Sequence, residues 1–235
     1  MSSAAALAVV LVVLVAVNLW VHLGPPRVHV LTGPLASALL LLVARGAGLT
    51  WSELGLARSD LLEGALYGAA TAGAVAAVYL VAVAIPFTRG AFRDTRYQVG
   101  PGAAVFMALV TIPLATVMFE EVAFRSVLWG LLVRDLGMPA AIAGTAVLFG
   151  LWHVLPGVKL MRTNAAVGGA GGSRALLTVL GTVAFTTLAG VVFAELRRRS
   201  GSVVAPMILH WATNGLGVLA AARVWALSSR GASAP

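Results

Sequence analysis

Cysteine is absent from all 235 residues. That excludes disulfides, a thiol nucleophile, Cys-ligated zinc, and prenylation or palmitoylation of the chain itself. Charge is nearly as scarce: Asp, Glu, Lys and Arg make up 10% of the chain, against about 25% in soluble domains. Lys159 is the single lysine, and with abundant Ala and Val the Arg-for-Lys bias points to a high-GC bacterial genome. The only aspartates are Asp60, Asp94 and Asp135, all near loops, which argues against a membrane aspartyl dyad. There is no His-Glu-x-x-His zinc helix and no Gly-x-Ser-x-Gly elbow. The glycines Gly168, Gly169, Gly171 and Gly172 lack a following Gly-Lys-Ser/Thr, so this run reads as a flexible linker and not a phosphate loop.

Apolar sequence fills the space that charge leaves. The chain is 60% hydrophobic, its mean hydropathy is +0.97, and runs of about 20 apolar residues, enough to cross a bilayer, recur along it. The pattern predicts an all-α polytopic membrane protein, a bundle of about seven transmembrane helices around a buried polar site. A β-barrel would show short alternating segments instead. The expected spans are near Ala4–Val21, Leu31–Ala44, Leu61–Ile85, Pro101–Val133, Met138–Leu155, Ala175–Leu196 and Val203–Leu227. The first has no Lys or Arg before Arg27, so it reads as a retained helix and not a secretory signal. The fourth is too long for one straight crossing and is expected to bend near Pro113 or tilt. Gly64, Gly68 and Ala72 favour close helix contact inside the bundle. Three divisions follow: N-terminal helices and loops over 1–99, a core over 100–220, and a C-terminal tail over 221–235.

The formal net charge is +8, with basic residues scattered between apolar spans. Loop ends meeting anionic headgroups account for this; nucleic-acid binding needs a concentrated basic surface. With seven spans, one side receives Arg45, Arg58, Arg134, Arg197, Arg198 and Arg199. The other receives Arg27, Arg89, Arg93, Arg96, Lys159, Arg162, Arg174 and Arg230. Six against eight gives no orientation.

Against that background three polar groupings stand out: Glu120-Glu121-Val-Ala-Phe-Arg125, Phe149-Gly-Leu-Trp-His153 and His210-Trp-Ala-Thr-Asn214. A charge at a helix centre costs on the order of 3 kcal/mol on insertion scales, so two carboxylates and a guanidinium need compensation. Residues four apart share a helix face. Glu121 and Arg125 therefore form an intrahelical ion pair, assigned mainly to structure, which leaves Glu120 as the candidate general base. His210 faces the same way as Asn214, and Phe149 lies beneath His153. If the three helices converge, a carboxylate, two imidazoles and a carboxamide surround one pocket, able to deprotonate water and stabilise an oxyanion. Glu120, His153 and His210 are equally a Glu-His-His donor set for Zn2+. Taken singly, each grouping has a structural alternative in a buried ion pair or interhelical polar contacts. Taken together, three helices would each carry an expensive polar group for packing alone.

Glu-Glu-x-x-x-Arg, Phe-x-x-x-His and His-x-x-x-Asn, each in its own helix and in that order, resemble the CPBP intramembrane proteases, the CAAX protease and bacteriocin-processing (Abi) group. The likeness covers about Gly100–Ala220. It implies endoproteolysis at or within the membrane, with Glu120 and His153 activating water, His210 and Asn214 holding the oxyanion, and Arg125 orienting the glutamates. It leaves metallo- and glutamate-type chemistry both open. Ser126 departs from the family pattern, where many relatives have Gly after the Arg. The expected partners are a membrane-protein or peptide substrate and the lipid bilayer, with no nucleic acid, in the cytoplasmic membrane of a bacterium. Two competing readings are a non-catalytic scaffold or immunity protein and, less favoured for want of an inverted repeat, a proton-coupled transporter.

Overall fold

The computed structural model describes residues 1–24, 29–164 and 172–232, the side chains of residue 29 and of 230–232 excepted. Among these residues the chain is helical apart from its turns and one isolated bridge between Asp94 and Asn164. The helices are α1 (Ser3–Leu23), α2 (His29–Gly46), α3 (Leu61–Ala84), α4 (Pro101–Leu136), α5 (Met138–Trp152), α6 (Val154–Thr163), α7 (Gly172–Ser200) and α8 (Val204–Ser229, continuing to Ala232). Six segments are long and apolar enough to cross a membrane, α5 and α6 together forming one of them, and the shorter apolar α2 makes a seventh helix. This is a multi-pass helical membrane protein. Gly168, Gly169 and Gly171, read as a linker, lie outside the described residues.

The most extensive packing joins α5 to α7 and α3 to the first half of α8. Gly64 and Gly68 explain the second contact. A Cβ on Gly64 would lie 2.5 Å from the Ser202 side chain, and one on Gly68 would lie 2.7 Å from Ile208. The small-residue stripe therefore serves packing within the bundle. Buried side chains of α1, α2, α4, α5, α7 and α8 form one continuous core around Phe119, Phe124 and Phe149. Most other apolar side chains face outward, as Leu35, Leu42, Leu66 and Leu188 do, where lipid tails serve in place of a protein interior.

Three details go beyond the sequence-based expectation or differ from it. The long α4 runs continuously through Pro113, with π-helical turns at Met107–Thr111, Pro113–Val117 and Val122–Leu128. A wider turn accommodates a residue without an N–H, and such turns concentrate at functional sites. The connection after the second grouping begins only beyond Thr163, because α6 resumes after a break at His153. Finally, α7 runs through the Arg triplet to Ser200, and Arg197 is 5% exposed. It is a core residue and not a solvated loop charge.

The polar connections are tied down at both faces. In the turn before α3, Glu53 accepts from the Thr50 backbone and from Arg134 (2.7 Å each). The Thr50 N–H, followed by the Arg134 guanidinium, holds its carboxyl down to about 2 against a desolvation effect of opposite sign. On the opposite face Asp94 pairs with Arg96 at 2.6 Å, its backbone oxygen accepts from Trp225, and Thr95 donates to the Thr163 carbonyl. These contacts place the 86–100 connection beside the end of α6.

Candidate active site

Glu120 and Glu121 occupy a four-residue α-helical stretch, Met118–Glu121, between two π-helical turns of α4. The second of these turns carries Arg125. Glu121 and Arg125 are fully buried and lie 3.3 Å apart, the ion pair expected from their spacing. The Arg125 guanidinium also donates to the Gly190 carbonyl of α7 at 3.4 Å and lies 4.0 Å from the Phe149 ring centroid and 4.9 Å from that of Phe193. Aromatic faces thus supply part of the compensation that a buried cation needs.

His153 sits at the break between α5 and α6, where the backbone leaves the helical region (φ −88°, ψ 9°). Its Nδ1 is 2.8 Å from the Phe149 carbonyl. A carbonyl only accepts, so Nδ1 carries the proton and Nε2 presents a lone pair. Phe149 packs against the imidazole with centroids 4.6 Å apart. In α8 the π-helical turn Ala212–Leu216 follows His210 and carries Asn214. The Nδ1 of His210 lies 2.8 Å from Oε1 of Glu121, and its Nε2 lies 3.9 Å from Oε2 of Glu120. Glu121 is therefore shared between Arg125 and His210, a role that helical spacing alone did not assign.

The three sequence groupings meet. His153, His210 and Asn214 line one cavity of about 490 Å3, walled by α3, α5, α7 and α8. Glu120 and Glu121 stand behind His210 and not on the wall. Oε2 of each glutamate and Nε of Arg125 are buried without a hydrogen-bond partner among the described residues. Such orphaned atoms are rare in folded proteins and mark sites where polarity serves chemistry.

The zinc set fits less well. Among the described residues no three His, Asp or Glu side chains gather as a metal would require. The Nδ1 atoms of His153 and His210 each face a protein acceptor, which leaves Nε2 of both rings as the nitrogens that would face a metal. No step below is routed through a metal.

Two contributors escaped the sequence reading. Tyr79 of α3 lines the cavity and donates at 2.7 Å to the carbonyl of Thr213, next to Asn214. A lone tyrosine hydroxyl in an apolar span was the available signal. Arg197 donates to the Arg125 carbonyl at 3.1 Å and to the Glu53 carbonyl at 3.1 Å. It does so beside Gly55, whose φ of +70° disfavours any side chain there. The departure at Ser126 is accommodated by a bond from its hydroxyl to the Leu54 carbonyl at 2.7 Å. Both contacts anchor the π-helical turn of α4 to the 47–57 turn.

Residues 101–216 match the family described as Rce1-like, type II CAAX prenyl endopeptidase. No curated protein matches the chain, and neither does any solved structure. The matched segment contains all six residues of the three groupings and excludes Tyr79.

Proposed function

We infer from its membership of the Rce1-like type II CAAX prenyl endopeptidase family, carried by residues 101–216, that this chain is an intramembrane endopeptidase cutting a membrane-associated protein or peptide. One observation supports the chemistry above the rest. The buried Oε2 of Glu120 has no hydrogen-bond partner among the described residues and stands 3.9 Å from Nε2 of His210, behind a cavity that His153 and His210 both line. In this reading Glu120 accepts a proton from water as its oxygen attacks the scissile carbonyl, and the Nε2 lone pair of His153 orients that water. The oxyanion then develops beside Asn214, whose amide donates to it. The Glu121 carboxylate on Nδ1 of His210 holds that ring in place beside the same site. Glu120 returns the proton to the leaving nitrogen as the tetrahedral intermediate collapses.

Arg125 acts through Glu121 in this scheme. It fixes the carboxylate that orients His210 and touches no reacting atom. The test compares new protein N-termini in host membranes carrying wild-type protein or Glu120→Gln at matched expression. Termini present only with wild type support the endopeptidase. Identical profiles would sink it and favour a polar scaffold.

A further inference from the structure

Pro156 leaves a gap in the backbone ladder at the helix break that carries His153. Across that break the His153 N–H donates to the Gly150 carbonyl at 3.0 Å, and the Gly157 N–H donates to the His153 carbonyl at 2.9 Å. In a continuous helix the Trp152 carbonyl between them would accept from residue 156, but Pro156 has no N–H. A donor comes instead from another helix. The carboxamide Nδ2 of Asn18, in α1, donates to this carbonyl at 2.8 Å across 134 residues. Asn18 is the only amide or charged side chain between Ala4 and Val21, and such a group in a span needs a polar partner. The Trp152 ring is held from the other side, 5.6 Å from the Phe119 centroid and 5.9 Å from that of Phe124. Trp152 is thus gripped at its backbone by α1 and at its ring by α4, and the next residue is His153.

We propose that Asn18 is a positioning residue for His153: its bond to the Trp152 carbonyl sets the break that aims the imidazole Nε2 into the cavity. The inference rests on the endopeptidase reading and deepens it. Asn18 touches no reacting atom and lies outside residues 101–216. So does Tyr79, which donates to the carbonyl preceding Asn214. Helices before the matched segment therefore hold the backbone ahead of two of the cavity's polar side chains, one each. Without the carboxamide the Trp152 carbonyl must find another donor, because a buried backbone acceptor is costly to leave unpaired. The turn then relaxes, and with it the aim of the His153 ring, whose Nδ1 bond to the Phe149 carbonyl spans that turn.

The test follows Asn18→Leu, close in size but without a donor, and Asn18→Gln, which keeps one on a longer stem. Two readouts are taken on the full chain at matched amounts. One is the set of N-termini that appear in host membranes only with wild type; the other is the imidazole nitrogen NMR spectrum of protein carrying isotope-labelled histidine in micelles. The chain has four histidines, and a His153→Gln sample assigns the signal. Positioning by Asn18 expects wild type to show His153 as one tautomer, protonated at Nδ1. It expects Asn18→Leu to blur that signature toward an average of two tautomers. The termini should fall about tenfold or more, because small misplacements at a reacting centre cost that much. Asn18→Gln should keep the tautomer and hold the termini within about threefold, as a weakened but surviving hydrogen bond would. The same His153 signature in wild type and Asn18→Leu would overturn the proposal, whatever the termini do. Termini from Asn18→Leu within about twofold of wild type would overturn it too, being less than one lost hydrogen bond should cost. Equal losses in Asn18→Leu and Asn18→Gln would do the same, since the donor would then not matter. Identical wild-type and Glu120→Gln profiles would instead remove the hydrolytic premise, and the imidazole signature would still decide whether Asn18 holds His153. Should Asn18→Leu fold poorly, Asn18→Ser takes its place, a hydroxyl that bonds back to its own helix and not to Trp152.

Discussion

Replacing Arg197 with Met would test whether a buried cation at the end of α7 holds the active-site helix in shape. Its guanidinium donates to the carbonyls of Arg125 and Glu53 at 3.1 Å each and, more weakly, to Ser52 at 3.4 Å. Charge-assisted hydrogen bonds contribute about 1.5–3 kcal/mol each, so the two shorter ones are worth roughly 3–6 kcal/mol. Met retains the apolar stem and leaves those carbonyls without a donor. These values are already net of desolvation, so the expected loss is roughly 3–6 kcal/mol. Reversible denaturant unfolding in detergent micelles, followed by tryptophan fluorescence, reads it directly. Trp129, over which Arg197 lies at 5.9 Å, is a local reporter. Arg198→Met provides the control, since Arg198 is solvent-exposed and pairs only with Glu195 on its own helix. Equal midpoints for the two variants would refute the reasoning, and Arg197 would revert to an ordinary interface charge.

Three further outcomes follow. Tyr79→Phe removes the hydroxyl that holds the Thr213 carbonyl; it should lower kcat several-fold with KM little changed, and a rise in KM alone would make Tyr79 a substrate contact. Glu53, held down to about 2 from 4.5, contributes stability above pH 4.5 that is lost as pH falls through 2. Because Glu53 is more than one-third exposed, the difference between wild type and Glu53→Gln should stay below about 1 kcal/mol at neutral pH, and acid titration of the unfolding midpoint should erase it. Chelation with 1,10-phenanthroline should leave turnover by purified protein intact, and loss restored by Zn2+ would put a metal back among Glu120, His153 and His210.

The sequence made the fold class and the site's membership legible for a physical reason: polar residues are too costly in a bilayer to be scattered. Glu120, Glu121, Arg125, His153, His210 and Asn214 stood out against apolar spans, and all six gather around one cavity or directly behind it. Spacing of four paired Glu121 with Arg125 correctly but missed its second bond, to His210, because that contact crosses 89 residues. The π-helical turns left no mark beyond Pro113, since a turn widens in response to tertiary partners and not to composition. Arg197 was hidden by its neighbours. A triplet of arginines reads as one solvated run, whereas on a helix each points about 100° from the last, and here one of the three points inward.

That correction bears on orientation. Arg134 bonds to Glu53 and the carbonyls of Ala47 and Gly48, and Arg197 reaches Ser52, so the 47–57 turn and the ends of α4 and α7 share one face. The Asp94–Asn164 bridge and the Thr95–Thr163 bond put the 86–100 connection and the end of α6 on the other. With Arg197 withdrawn into the bundle, the first face keeps Arg45, Arg58, Arg134, Arg198 and Arg199, five basic residues against seven among the described residues. Cytoplasmic loops carry the excess of Lys and Arg. The 86–100 face is therefore expected to be cytoplasmic. Because the chain has no cysteine, single thiols report without background. Gln98→Cys and Ser52→Cys, both exposed, should differ in intact cells, an impermeant maleimide labelling only Ser52→Cys. Labelling of Gln98→Cys alone would invert the molecule.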